Sequence, residues 1–498
     1  MSAGLRRSRL GVRRLVFFGI AAVTPLTVIV GGQSLGFGQL GQVGTAVGYL
    51  LAAAVLGVFA VGVAAMARHL PNPGAFYAYV AARLSRPLAV ATAGIALVAY
   101  TAIQIGLFGL FGVAMVAALD AFGQSGWWAF WALMGWIAVA VLGQVRVRTN
   151  ASVLAVLICA ELGLVLVLDA VMVLHPADGI VRFDGLNPLL LANPTGIASL
   201  VGAITGLVGF EVPLAFAPLA VDPRTTVRRA IGWILLIVAV VYGGSAWAMT
   251  VVAGPDQIVG IAAQHPKDLF FHLAAPHVPA AVVTAGLVLF ATSVFAAALA
   301  FHNTVSRYIL TLSREGLLPV WLAITRSDDV PAAASLMQST LAFLVLVAAG
   351  IGGVDPVKDL FFFGTTAGGL GVLIMMCLTG AAVIGYFHRH PHRETVWRRR
   401  IAPIVSTVVL TLIAVTSIAF FGDLISSSHP VKVWGAPLVY AAVAVAGIGW
   451  ALHLRRHRPH VYAVIGHGER TRTTAIPSGV RHQPSVAAEP ASASSASR

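Results

Sequence analysis

Few side chains in this sequence are equipped for chemistry, and the most telling of them sits in an apolar stretch. Glu211 lies within Gly202–Pro223 (GAITGLVGFEVPLAFAPLAVDP), among Gly202, Gly206 and Gly209 and close to Pro213 and Pro218. A carboxylate at the centre of a bilayer costs about 2.5 to 3.5 kcal/mol on insertion scales, so it is expected to face a cavity or a partner. Glycine and proline weaken the helical hydrogen-bond ladder, and inside a membrane the freed backbone groups must be met by protein or by a water-filled cavity. An acid on a loosened helix therefore points to a binding site. Glu161 and Asp169 form a second pair of acids, eight residues or about two helical turns apart. A deeply placed acid such as Glu161 or Glu211 is suited to taking up a proton on one side of a membrane and releasing it on the other. Asp169, near the end of its stretch, reads as solvated.

Weaker candidates accompany these acids. Tyr100 and Gln104, four residues apart, offer a hydroxyl and an amide from one helical face. Thr292 and Ser293 would supply hydroxyl oxygens to a sodium ion, although hydroxyls also pack membrane helices routinely. The run His388-Arg389-His390-Pro391-His392 reads as a solvated basic turn, and Cys159 and Cys377 lie apart in apolar runs. No metal site, cofactor or disulfide is expected from these residues.

The elements that position these groups are set by composition. Hydrophobic residues make up 58% of the 498-residue chain and charged ones 10%, against roughly 25% charged in soluble domains. Twelve apolar runs are long enough to cross a bilayer: 15–38, 44–67, 87–118, 127–144, 150–174, 195–220, 231–253, 279–304, 333–351, 360–387, 401–422 and 433–454. They are continuously apolar, without the alternation of barrel strands, so an all-α integral membrane protein is expected. With twelve spans, 28 of the 32 Lys and Arg residues fall on one side, leaving Arg182, Lys267, Lys358 and Lys432 on the other. This asymmetry places both termini in the cytoplasm of a multi-pass plasma membrane protein. It also accounts for the net charge of +14; no stacking aromatics accompany the arginines, so nucleic acid is not an expected partner. Residues 1–14 form a cytoplasmic segment and, with no cleavage site after it, the first span is retained. Residues 455–498, basic and then rich in Pro, Ser and Ala, read as a disordered tail.

The first span resembles the sixth in being broken. Pro25 deprives the Ala21 carbonyl of its helical donor, and Gly31 and Gly32 weaken the second half of the span. Thr24, Pro25 and Thr27 mark this break; Gly206, Gly209 and Phe210 mark the second. Cutting the chain into 15–174 and 195–387 gives two blocks of five crossings that each begin with a broken helix. An odd number of crossings inverts the second block, leaving 401–454 as two additional helices. The repeat rests on topology, with no evident residue identity between the halves. Paired broken helices in inverted halves are the best sequence pointer to a transporter's substrate site, and no phosphate-binding Gly-x-x-x-x-Gly-Lys-Ser/Thr loop supplies ATP.

Three motifs then carry a family resemblance. Arg68–Val80 (RHLPNPGAFYAYV) is similar to the cytoplasmic Pro-x-Gly-Gly-x-Tyr-x-Tyr loop of the amino acid, polyamine and organocation permeases. Gly209-Phe210-Glu211, with Asp222-Pro223-Arg224 and Arg228-Arg229-Ala230-Ile231, resembles that family's Gly-Phe-Glu and Asn/Asp-Pro-Arg stretch, and Ser306–Ala323 resembles its loop after span eight. The resemblance implies a five-plus-five inverted repeat with two further helices and an amino acid or small amine as substrate. It also implies secondary active transport by alternating access, with the proton as the expected coupling ion and exchange as the alternative. Thr24, Pro25, Thr27, Tyr100, Gln104, Gly206, Gly209 and Phe210 would bind substrate, Phe210 as the occluding aromatic. Glu161 and Glu211 would serve coupling or gating. Departures are visible: Pro25-Leu26-Thr27 stands where relatives often have Gly-Ser-Gly, Pro218-Leu219 replaces an acidic pair, and Glu161 replaces the lysine of proton-coupled relatives. A membrane-embedded transferase or a non-transporting receptor is the rival class, but the outer loops offer only scattered Asp178, Asp184, Asp256, Asp268 and His265.

Overall fold

A computed structural model describes residues 10–70, 75–145, 151–215, 220–326, 330–390 and 394–467. Pro218-Leu219, most of the Pro-x-Gly-Gly-like motif (71–74) and His392 lie outside the described residues, as do 1–9 and 468–498. The helices in chain order are α1 (Val12–Val23), α2 (Pro25–Thr27), α3 (Ser34–Gly38), α4 (Thr45–Ala67), α5 (Ala75–Arg83), α6 (Arg86–Asp120), α7 (Trp128–Leu142) and α8 (Ala151–Leu174). Next come α9 (Pro194–Gly206), α10 (Val212–Ala215), α11 (Pro223–Ala253), α12 (Ile258–Gln264), α13 (Leu269–Ala274) and α14 (Ala280–Arg314). The last are α15 (Ala332–Ile351), α16 (Phe363–Arg389), α17 (Ala402–Ala419), α18 (Phe421–Leu424), α19 (Pro430–His457) and α20 (Pro459–Val464). Among the described residues there is no strand, only isolated bridges between Leu10 and Ala220 and between Arg326 and Val330.

Ten helical stretches among the described residues are long and apolar enough to cross a bilayer, and two further expected spans fall on the shorter apolar helices α7 and α9. The protein is thus a multi-pass, all-helical membrane protein. α9 is short because its expected span is interrupted by turns from Leu207 onward.

Lipid tails are as apolar as leucine, so helices in a bilayer associate through close van der Waals contact and not through hydrophobic burial. Small residues permit that approach between α6 and α16. A methyl group on Gly368 would come 2.7 Å from the Ala99 carbonyl oxygen, and one on Gly364 would come 2.9 Å from that of Ala102. On the α6 side, Gly106 meets the Leu360 carbonyl in the same way. The central stretches Val12–Gly38, Arg86–Asp120 and Pro356–Arg389 are accordingly about two-thirds buried, whereas Pro430–His457 is 11% buried and turns Leu438, Val439 and Val445 outward to lipid.

Residues 455–467 are folded where a disordered tail is expected; the rest of that expected tail lies outside the described residues. α19 continues to His457, and α20 then folds back so that Val461 and Ile465 are buried against Tyr77, Val80, Leu312 and Leu317. Arg86 donates to the Ala463 carbonyl at 3.0 Å and stacks over Tyr462. The Gly466 amide donates to the Tyr77 hydroxyl at 3.1 Å and to Glu315 at 3.0 Å, while Tyr77 itself donates to Glu315. Burial and the neighbouring carboxylate push the Tyr77 phenol well above its ordinary pKa, which keeps it a donor. Sequence composition predicts none of this, because the anchoring side chains are few and the residues that receive them come from distant parts of the chain.

Gly466 has a φ of 82°, and a methyl group there would overlap the Ala81 side chain. Gly466→Val is expected to release this segment at a cost of roughly 1 to 3 kcal/mol. A lowered unfolding temperature in detergent, together with faster proteolysis between α19 and the C-terminus, would register it.

Candidate functional site

The first break is sharper than a proline kink. α1 ends at Val23, Thr24 adopts a left-handed conformation (φ 48°), and Pro25 starts α2. Proline suits a first helical position, where no amide hydrogen is needed, and it excludes the preceding residue from the helical region. Thr24 is therefore the residue at which the helix must break. The freed Val23 carbonyl accepts from the Tyr242 hydroxyl of α11 at 3.1 Å, and Gln33 donates to the Tyr242 carbonyl at 2.9 Å. Beyond α2 the helix widens into a π-helix over Val28–Gln33, which contains Gly31 and Gly32.

The second break comes after α9, where Leu207 to Glu211 form turns before α10. Gly209 has a φ of 115°, and a methyl group on it would lie 2.9 Å from the Ala22 carbonyl carbon and 3.0 Å from the Val23 nitrogen. The two breaks are thus in backbone contact. At the α1 end of the pair, the Val221 amide donates to the Leu10 carbonyl at 3.0 Å, so the broken segments lie side by side and run in opposite directions.

A carboxylate serves each break. Glu211 folds back to accept from the Gly209 amide at 2.8 Å and also interacts with the Tyr100 hydroxyl. Glu161, 4% exposed, accepts from Ser293 at 2.8 Å and lies beside the Leu26 amide, while Thr27 donates to Ser293 at 3.1 Å. The Leu26 amide is one of the unpaired donors of a helix start, and a negative charge is favoured there. Asp169 is not solvated: it is half-buried and accepts from Ser245 of α11 at 2.6 Å.

A cavity of about 870 Å³ of free space, counted to its open mouth, extends from the breaks. Thr24, Thr27 and Gly206 line it near the breaks, and Leu40, Thr45 and Leu424 line it at the end remote from the start of α1. The remaining expected residues stand outside its lining. Pro25 and Gly209 shape the backbone; Phe210 is buried, and the aromatic side chains at the cavity are Tyr49, Phe301, Phe361 and Phe362. Tyr100 reaches Glu211, and Thr292 donates within its own helix to the Leu289 carbonyl at 2.8 Å.

Gln104 belongs to a different polar group. Its amide bonds His302 Nδ1 at 3.2 Å and accepts from Gln338 at 2.6 Å, while His302 Nε2 bonds Ser335 at 2.8 Å. This network joins α6, α14 and α15, and fully satisfied buried polar groups of this kind rigidify a core. His302 is absent from the residues expected at the site; an ionisable side chain inside the apolar run Ala300-Phe301-His302 is the one signal of it that the sequence offers.

A methyl group on Gly209 is opposed both by the left-handed φ, which costs an ordinary residue roughly 1 to 2 kcal/mol, and by the α1 backbone. Gly209→Ala is therefore expected to separate the two breaks, and a lowered unfolding temperature in detergent would report it. A family model described as amino acid permease matches residues 10–444, and the chain belongs to that family, whose members are membrane transporters of amino acids. No curated protein matches the sequence.

Proposed function

We propose, with membership of that family as the premise, that this chain is a secondary active transporter which carries an amino acid or small amine across the plasma membrane by alternating access. The observation that carries the reading is the backbone contact between Gly209 and Ala22–Val23, which sets two broken helices level beside one cavity. Discontinuous helices of this kind offer helix-start amides to a carboxylate and freed carbonyls to an ammonium group. Thr24, Thr27 and Gly206 would contact the substrate backbone, with Pro25, Gly209 and Phe210 fixing the chain around them. Twelve spans in two inverted blocks of five with two further helices, and both termini in the cytoplasm, complete the proposal. On that topology the cavity faces outward. The inner face is held by Arg68 on Glu394 at 2.8 Å, by Leu10 on Val221 and by Tyr77 on Glu315.

Coupling is assigned to the carboxylates. Glu161 in its charged form holds the Ser293 hydroxyl and faces the Leu26 amide, so protonation weakens one brace of the first break; Glu211 stands in the same relation to the second through the Gly209 amide. Proton uptake then links directly to movement of the broken segments. The oxygens of Thr27, Ser293 and Glu161 form a cluster that sodium would use instead, with Thr292 adjacent, and this alternative has its own arm in the test.

Uptake into proteoliposomes under an imposed pH gradient, with and without sodium, tests the assignment. Glu161→Gln is expected to lower gradient-driven uptake by roughly tenfold or more, equivalent to about 1.4 kcal/mol, while counterflow of substrate persists. Proton-driven uptake and counterflow both intact in Glu161→Gln and Glu211→Gln would refute the carboxylate role. Dependence on sodium alone would transfer coupling to the oxygen cluster.

A further inference from the structure

The cavity's lining carries information about the side chain of the substrate that the breaks themselves do not. Among the described residues that line it there is no Asp, Glu, Lys, Arg or His. Its polar groups are hydroxyls, including Thr24, Thr27, Tyr49, Ser199, Thr205 and Thr365, and the first two of these stand at the first break. The facing wall is apolar: Ile103 and Leu107 lie one turn apart on α6, with Phe301 from α14 and Phe361 and Phe362 from the π-helical segment Pro356–Phe362 that runs into α16.

The nearest acids are already engaged. Glu161 accepts from Ser293 beside the Leu26 amide, and Glu211 accepts from the Gly209 amide beside the Tyr100 hydroxyl. Neither lines the cavity. A lysine or arginine side chain entering here would leave water without an anionic partner, and a glutamate or aspartate side chain would leave it without a cation. Burying an unpaired charge is strongly unfavourable, whereas an apolar side chain gains by leaving water for an apolar wall.

We infer that the substrate is a zwitterionic amino acid with an uncharged, apolar side chain, its amino and carboxylate groups at the breaks and its side chain against Ile103, Leu107 and Phe361. This rests on the transport reading and narrows it. Phe361 and Ile103 act as specificity determinants because they belong to the wall and not to the broken backbone. Phe361 also packs beside Gly31 of the first broken span, where a methyl group would meet its ring at 3.2 Å. Side-chain fit and the position of that span are therefore mechanically connected.

The test is competition and counterflow in proteoliposomes containing the full chain. Leucine, isoleucine, valine and phenylalanine are compared with lysine, arginine, aspartate and glutamate. The same compounds are assayed for thermal stabilisation of the purified protein in detergent. Leucine or phenylalanine is expected to be taken up, and to stabilise, at concentrations at least about tenfold below those needed for any charged amino acid. Phe361→Ala is expected to lose roughly tenfold in preference for phenylalanine over alanine, read as the ratio of their concentrations for half-maximal competition. Lysine or glutamate transported as well as leucine would overturn the inference and leave the transporter intact. If no amino acid is transported but leucine or phenylalanine still stabilises the protein selectively, transport falls and the pocket's apolar preference stands. Without either response, both fall.

Discussion

Inside a bilayer a broken helix is tolerated only if the backbone groups it releases find partners, and this constraint organises the centre of the protein. Each break releases donors and acceptors that neither lipid nor a dry core can meet. The structure answers with side chains: Tyr242 on the Val23 carbonyl, Glu161 beside the Leu26 amide and Glu211 on the Gly209 amide. Two of these partners are ionisable in a way that hydroxyls are not. On the proposed coupling, the groups that make the breaks tolerable would also be those through which a proton acts on them.

The surroundings of the breaks are built on another principle. α6 and α16 meet across glycines at distances that leave no slack, and the Gln104, His302, Gln338 and Ser335 network ties α6 to α14 and α15 with its main hydrogen bonds made. Close-packed small residues and a satisfied polar network resist rearrangement. Alternating access, as proposed, would move the broken segments against this wall.

Local costs are readable from the amino-acid sequence, and distant partnerships are not. Glu211, Pro25 and Gly209 stand out because an acid, a proline or a glycine in hydrocarbon demands compensation whatever surrounds it. The expected topology rests on the basic residues, whose placement follows charge and not packing. By contrast, Ser293 is visible as a hydroxyl but not as the partner of Glu161, since the 132 positions that separate them carry no pairing signal. The helical face of Gln104 points to substrate, yet His302 captures it. Phe210 adjoins the break and so reads as the cavity aromatic, whereas Phe361 and Phe362 arrive from a part of the chain that only tertiary packing brings near. Asp169 looks solvated for the same reason, its partner Ser245 lying on another helix.

The fold-back after α19 bears on how the protein should be handled. If the chain is trimmed at His457, where the last long helix ends, Tyr77, Val80 and Leu317 lose the cover of Val461 and Ile465, and an apolar patch opens at the water-facing end of the bundle. Preparations cut there would be prone to self-association for a reason unrelated to lipid or detergent. A reporter attached beyond Gly466 preserves the cover and starts from a fixed point beside α5, so its distance to labels on other loops would be a ruler anchored in the fold.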